Sequence, residues 1–199
     1  MATHERYLAV RAAVQKLAAG AKSKRTRLQW VRMELALLLV EATGRRIGAV
    51  RWLRWEDIAR EPPAITWRKE FDKRRREQTI PIPASLADEI RALRAKLGAF
   101  GDGWLFPQSV GDHPWHRKRF DALMRRAEEE TKVPKLDGGL WHCYRRKWAT
   151  KRRHLPAVDV IRPAAGRIER RWRRAINTRM TAGVLAAMES PVSCVSETS

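Results

Sequence analysis

Residues 33–42, MELALLLVEA, are the most apolar run in the chain and sit within a segment from Leu28 to about Glu41. Leu35, Leu38 and Leu39 suit a helix with no single wet face, so it has to be covered on most sides. A helix of that kind needs other elements built around it. The chain has 199 residues, 44% of them hydrophobic, which is enough for one compact domain and a small second piece. Outside this run the dominant property is charge: 42 Lys+Arg against 22 Asp+Glu give a formal net charge of +20. Such an excess opposes compaction unless an anion neutralises it, and nucleic acid is the commonest partner of that kind. Two cysteines, Cys143 and Cys194, exclude a disulfide scaffold and a cysteine-based zinc site. The start, MATHERYLAV, carries an acid and a His where a secretory signal would be apolar. No apolar run approaches the roughly 18 residues of a membrane-spanning helix. These features predict a cytoplasmic chain bound to a polyanion and to no membrane.

Helical spacing of Tyr7, Leu8, Val10, Val14 and Leu17 predicts a helix over 4–19, ended by Gly20 and followed by the basic connector AKSKRTR. After the apolar helix, a turn at Thr43-Gly44 leads to a second helix from Ile47 to about Leu53. The period then changes. Ala64–Trp67 and Thr79–Ile82 are short β-type runs around RKEFDKRRREQ, so a hairpin or three-stranded sheet is expected. Helices are predicted from Ser85 as N-cap (SLADEIRALRAKL), from Trp115 to about Lys132, from Trp141 to about Arg153 and, interrupted, over 162–188. The tail 189–199 has no periodicity and reads as disordered. The expected fold class is α+β, mainly helical, with a small β-hairpin or three-stranded sheet.

The basic residues are not evenly spread. Arg46 follows the Thr-Gly turn, and Arg68, Lys69, Lys73, Arg74, Arg75 and Arg76 crowd the hairpin. Residues 142–175 hold 12 Lys+Arg and two acids, a net +10 out of +20. Each cluster alone reads as a solvated face or a contact to a nucleic-acid backbone. In LWHCYRRKWAT, His142 and Arg145 stand at i and i+3 on one helix face, with Trp141, Tyr144 and Trp148 expected on the opposite, buried face.

ATGRRIGAVRWLRWEDI, DKRRREQTIPIP, GWLFP and LWHCYRRKWAT, in this order and spacing, resemble the catalytic domain of tyrosine recombinases, the phage-type integrases. The resemblance covers residues 28–190, and the expected organisation is an N-terminal helix and basic linker (1–27), a catalytic domain (28–188) and the tail. It implies site-specific DNA recombination or integration on double-stranded DNA by a homo-oligomer, as in mobile elements, without metal or cofactor. Arg46 would be the first catalytic arginine, Arg145 the second and His142 the histidine of the second box. Lys73 would be the hairpin lysine, with Lys69 as the fallback. Arg68, Lys69, Arg74, Arg75, Arg76, Arg146 and Lys147 are the expected DNA contacts. The family's N-terminal domain, which clamps the far side of the DNA, would be absent or reduced to one helix, since only 27 residues precede the match.

The residue types suit the chemistry. Two guanidiniums can grip the phosphoryl oxygens that gain charge during strand cleavage, without ever losing their own. A lysine depressed by neighbouring arginines could protonate the leaving 5′ oxygen. In the family the nucleophile is a tyrosine that forms a phosphotyrosyl link.

Here the pattern breaks. The chain has two tyrosines, Tyr7 and Tyr144, and the family's position falls on Ile176 or Asn177. The third box reads Ala165-Gly166-Arg167, leaving Arg167 or Trp172 as its only candidates, and a further acidic position is Ala49. Three explanations stand open. The chain is a remnant that binds DNA without cutting it; another chain, or Thr178 or Thr181, supplies a hydroxyl; or the coding sequence is out of frame near Arg162–Arg174, where six Arg fall in 13 residues without an apolar stripe. A basic RNA-binding protein is the alternative that charge alone would support. His113 and His116 have no third ligand nearby in sequence, and Cys143 reads as a small core residue.

Overall fold

The structure, a computed structural model, describes residues 2–71, 75–109, 112–134 and 139–151, except for the side chains of 147 and 149–151. The chain divides into two units, Met1–Leu155 and Pro156–Ser199, and all described residues belong to the first. The expected 162–188 helices and the 189–199 tail lie outside the described residues.

Among the described residues six α-helices and one sheet follow in order: α1 (His4–Ala19), α2 (Lys24–Thr43), α3 (Ile47–Val50), β1 (Ile58–Ala59), β2 (Ala64–Trp67), β3 (Gln78–Pro81), α4 (Ala84–Leu97), α5 (Arg117–Thr131) and α6 (His142–Lys151). The described part is thus α+β and mainly helical. Helix α2 contains the apolar run and is the hub: α1, α3, α4, α5 and α6 all pack on it. Met33, Leu35, Ala36, Leu37, Leu39 and Val40 are fully sealed, which answers the demand that such a helix be covered all round. Each large side chain among them contributes about 1.5–3 kcal/mol of hydrophobic stabilisation.

Two polar clamps dock α1 on this core. Glu34 of α2, only 4% exposed, accepts from Arg11 Nε at 3.1 Å and from Gln15 Nε2. Arg11 also reaches Glu89 of α4 at 2.6 Å. Further along, Arg6 Nη2 donates to Glu128 of α5, and its Nη1 to the Pro134 carbonyl, both at 2.7 Å. These pairs satisfy charges that burial would otherwise penalise heavily.

The sheet is antiparallel with strand order β1-β2-β3 and places Ile65 opposite Ile80 and Trp67 opposite Gln78. Ile65 and Trp67 are buried. An aromatic cluster of Phe106, Trp115, Phe120 and Trp141 closes the α5 side, with Phe106 and Phe120 ring centres 5.1 Å apart.

Element boundaries depart from the expected ones for local reasons. Helix α2 begins at Lys24 inside the basic connector, because Ser23 accepts from the Thr26 amide and caps it. Helix α4 starts at Ala84 after Pro83 rather than after Ser85, the proline providing an extended entry at φ −60°. Helix α5 starts at Arg117 rather than Trp115, capped by His116, whose Nδ1 accepts from the Lys118 amide. Strand β3 is one residue earlier than expected, and α3 is a single turn. Among the described residues no helix is long and apolar enough to cross a membrane.

Candidate functional site

The turn between α2 and α3 is where the separate elements converge. Gly44 ends α2 at φ +63°, a left-handed conformation in which any Cβ is strained. Space forbids it too, since a Cβ there would overlap the Trp148 ring of α6. The Thr43 hydroxyl donates to the Leu39 carbonyl at 2.6 Å and accepts from the Arg45 amide at 3.3 Å, so the last turn is tied off by its own side chain.

Two further grips fix the turn from outside. Arg45 points to the sheet, where its guanidinium donates to Gln78 Oε1 of β3 and lies 5.1 Å from the Trp67 ring centre of β2. From the other side, α6 donates twice into the turn: Arg145 Nη1 to the Gly44 carbonyl at 2.8 Å and Trp148 Nε1 to the Ala42 carbonyl at 2.9 Å. Arg145 and Trp148 are therefore on one face of α6, i and i+3. This corrects the expectation that Trp148 belongs to the opposite face with Trp141 and Tyr144. Trp148 is half-buried, whereas Trp141 and Tyr144 are sealed.

The consequence is a pair of like charges. Burial pushes the Arg145 guanidinium down, and the neighbouring positive charge of Arg46 pushes it further. Arg145 is half-buried and Arg46 is exposed beside it, and neither forms an ion pair with a carboxylate among the described residues. Arg145 stays charged through such a shift, so the pair forms a cationic site with no counter-charge among the described residues, held on the Gly44 turn. That arrangement favours a bound anion with oxygens at two edges, since each guanidinium can offer paired N–H donors.

The other sequence-predicted residues fall as follows. His142 opens α6, exposed, three residues before Arg145. Lys69 is exposed in a 3-10 turn over Lys69–Phe71, and Arg75, Arg76 and Arg146 are exposed. Arg68 is turned inward to carboxylates: its Nε donates to Asp57 at 2.7 Å and its Nη2 to Glu56. Lys73 and Arg74 lie outside the described residues, as does the side chain of Lys147. Ile176, Asn177, Arg167 and Trp172 are also outside them.

Neither described tyrosine joins the arginine pair. Tyr144 is fully buried towards Arg6, Glu128 and Cys143, and burial pushes its phenol well above the ordinary range. Tyr7 is buried on α1 beside Arg11, and burial pushes it up to about 12. Cys143 is sealed as expected, its thiol donating to the Leu140 carbonyl. Among the described residues no group of three or more His, Cys, Asp or Glu side chains is placed to hold a metal ion.

Sequence reasoning missed Arg45, Gln78 and the orientation of Trp148. Their roles depend on contacts across 33 and 106 residues of chain, which no local periodicity marks.

No protein-family model and no curated protein sequence matches the chain. Solved structures do resemble it. XerA recombinase is 14% identical, with a TM-score of 0.58 over 81% of this chain and 52% of its own. The integrase of transposon Tn1549 (residues 82–397), solved with circular intermediate DNA, is also 14% identical, with a TM-score of 0.53 over 81% of this chain and 55% of its own. The chain thus spans about half the length of both. With a hub helix, a three-stranded antiparallel sheet and a later helix closing on the Thr-Gly turn, this chain has the fold of the tyrosine recombinase catalytic domain.

Proposed function

We propose that the protein binds duplex DNA and grips one phosphodiester between Arg46 and Arg145, as part of a site-specific recombination or integration system of a mobile element. The observation that carries this reading is the pair of a half-buried Arg145 and an exposed Arg46 with no described counter-charge, fixed on the Gly44 turn by a hydrogen bond from Arg145 itself. The likeness to a recombinase and to an integrase solved on DNA supports it. The half-buried Arg145 guanidinium interacts with a phosphate more strongly than a solvated one does, because the local dielectric is lower, and the exposed Arg46 is open to the phosphate from solvent. Lys69, Arg75, Arg76 and Arg146, exposed on the hairpin and on α6, would follow the backbone on either side, together with Arg74 and Lys147. Arg68 is a weaker candidate, since Asp57 and Glu56 already take up its charge. Lys73 would protonate the leaving 5′ oxygen and His142 would assist at the phosphate. The partners are duplex DNA and further copies of the chain, in the cytoplasm.

One observation favours a form of this reading in which the chain holds the phosphate without cutting. Both tyrosines are sealed in the core, and the expected nucleophile position carries Ile176 or Asn177. A nicked suicide duplex separates the two. A shifted complex with no covalent protein–DNA band is expected, and a covalent band would establish strand cleavage and overturn the non-cutting form. Arg46→Ala and Arg145→Ala should each weaken the shifted complex, and unchanged affinity in both would remove the arginine pair from the function. Resequencing codons 155–185 decides the frame: a tyrosine near 176 in a neighbouring frame would make the natural protein a cutting recombinase.

A further inference from the structure

A second group of arginines lies at the other end of α2. Residues 20–33 carry five basic residues (Lys22, Lys24, Arg25, Arg27, Arg32) and no acid, and Arg117, Lys118 and Arg119 open α5. Arg25, Gln29 and Arg32 share one stripe of α2, at i, i+4 and i+7, and that stripe faces the first turns of α5. Arg119 Nη2 donates to Gln29 Oε1 at 2.7 Å, and the Arg119 guanidinium lies 4.5 Å from the ring centre of the buried Trp115. It is held in place with donors to spare. Arg25 Nη2 reaches Ser109 Oγ at 3.5 Å.

Arg32 is the informative member. It is half-buried, its Nε is sealed from solvent without a hydrogen-bond partner, and no carboxylate among the described residues pairs with it. Burial pushes it down and so does Arg119; Arg119 in turn is pushed down by burial and then by Arg25. The nearest acids in sequence are occupied elsewhere. Glu34 holds Arg11 and Gln15, Asp112 accepts from Trp104, and Asp121 accepts from Trp141. A cation left uncompensated in a partly buried position costs stability. A cluster of three that repel one another has no structural benefit in the free protein, and an anion with several oxygens removes both costs.

We propose that Arg25, Arg32 and Arg119 form a second phosphate-binding site, which holds the backbone of duplex DNA beyond the phosphate gripped by Arg46 and Arg145. This rests on the DNA-binding reading above. From Arg32 to Gly44 is 12 residues of helix, or about 18 Å along the axis at about 1.5 Å per residue. One strand of B-DNA carries a charge about every 3.4 Å of axis, so the two sites span roughly five phosphates.

The test compares the full chain with Arg25→Gln/Arg32→Gln/Arg119→Gln and with a control of equal charge loss, Arg60→Gln/Lys96→Gln/Arg126→Gln, all three exposed. Labelled duplex DNA and a structured RNA of equal charge are titrated by anisotropy between about 0.1 and 0.3 M salt, a range in which surface charges are well screened. The cluster variant should lower duplex affinity roughly tenfold or more and flatten the log–log salt slope by about 2, against a small change in the control. Arg32→Gln alone should keep or raise the melting temperature while weakening DNA binding, which a structural arginine would not do. Equal losses in cluster and control, a fall in melting temperature that parallels the affinity, or a loss seen on RNA but not on duplex DNA would each overturn the site. An unsubstituted chain that fails to bind duplex at all would overturn the DNA-binding reading itself, a different result from a duplex bound equally by both variants.

Discussion

At the residue scale, the site depends on a position where only glycine fits. Gly44 combines a φ of +63° with the flat face of Trp148 where a Cβ would go. Gly44→Ala adds the left-handed backbone cost, on the order of 1–2 kcal/mol, to the displacement of the indole. We expect a loss of at least about 2 kcal/mol in urea unfolding, with weakened DNA binding because Arg46 and Arg145 lose register. A variant as stable and as tight as the parent would show that the turn is not held by Trp148.

The tyrosines give a second residue-scale prediction. The phenols of Tyr7 and Tyr144 are raised, Tyr7 to about 12. A raised folded value means that the fold favours the neutral form. The stability this contributes is complete below the unfolded value of about 10 and is lost as pH climbs through the folded one. Phenolate absorbance should therefore stay low in the native protein at pH 10 and rise together with loss of ellipticity between about pH 10 and 12. Ionisation at pH 10 with the fold intact would place a tyrosine in solvent and reopen its candidacy as a nucleophile.

At the element scale, α1 is part of the core through polar contacts as much as apolar ones. Val10 and Val14 are sealed, and Glu34 draws Arg11 and Gln15 onto α2. Glu34→Ala removes the acceptor of Arg11 Nε and of the Gln15 amide. Breaking a buried pair in this way costs about 3–5 kcal/mol, and Arg11 retains Glu89, so we expect the lower end, measured by denaturant midpoint. Replacing Arg11, Gln15 and Glu34 together by apolar residues should recover much of that loss. A similar deficit in the triple variant would mean that the clamp fixes α1 through geometry rather than charge balance.

At the scale of the whole molecule, the net charge of +20 works against the fold, and two arginine clusters without described counter-charges concentrate that strain. The melting temperature should rise with added salt, and more with phosphate or duplex DNA than with chloride at equal ionic strength, because a specific ligand stabilises only the state that binds it. Equal effects of chloride and phosphate would indicate screening alone.

Much of the fold was legible in the chain itself. An apolar run with no polar stripe has to be a central helix, and α2 is the hub. Alternating short runs around a basic loop have to pair, and β2 and β3 do so within one residue of the expected bounds. The expectation that Arg46 and the H-x-x-R helix belong together came from the family resemblance that the motif order carries, and the structure brings the Arg46 charge beside Arg145. What the sequence could not decide was how α6 meets the turn. Periodicity placed Trp148 on the wrong face, because a helix stripe records which residues are apolar and not which carbonyl an indole N–H will find. The connector 21–27 read as basic and polar, yet it caps and begins α2 and carries Arg25 to face Arg119, a juxtaposition across 94 residues. Helix and strand signals come from neighbours in sequence and survive in the chain alone. The cationic sites come from charges brought together by packing, and only the tertiary structure sets which like charges must face each other and which find a carboxylate.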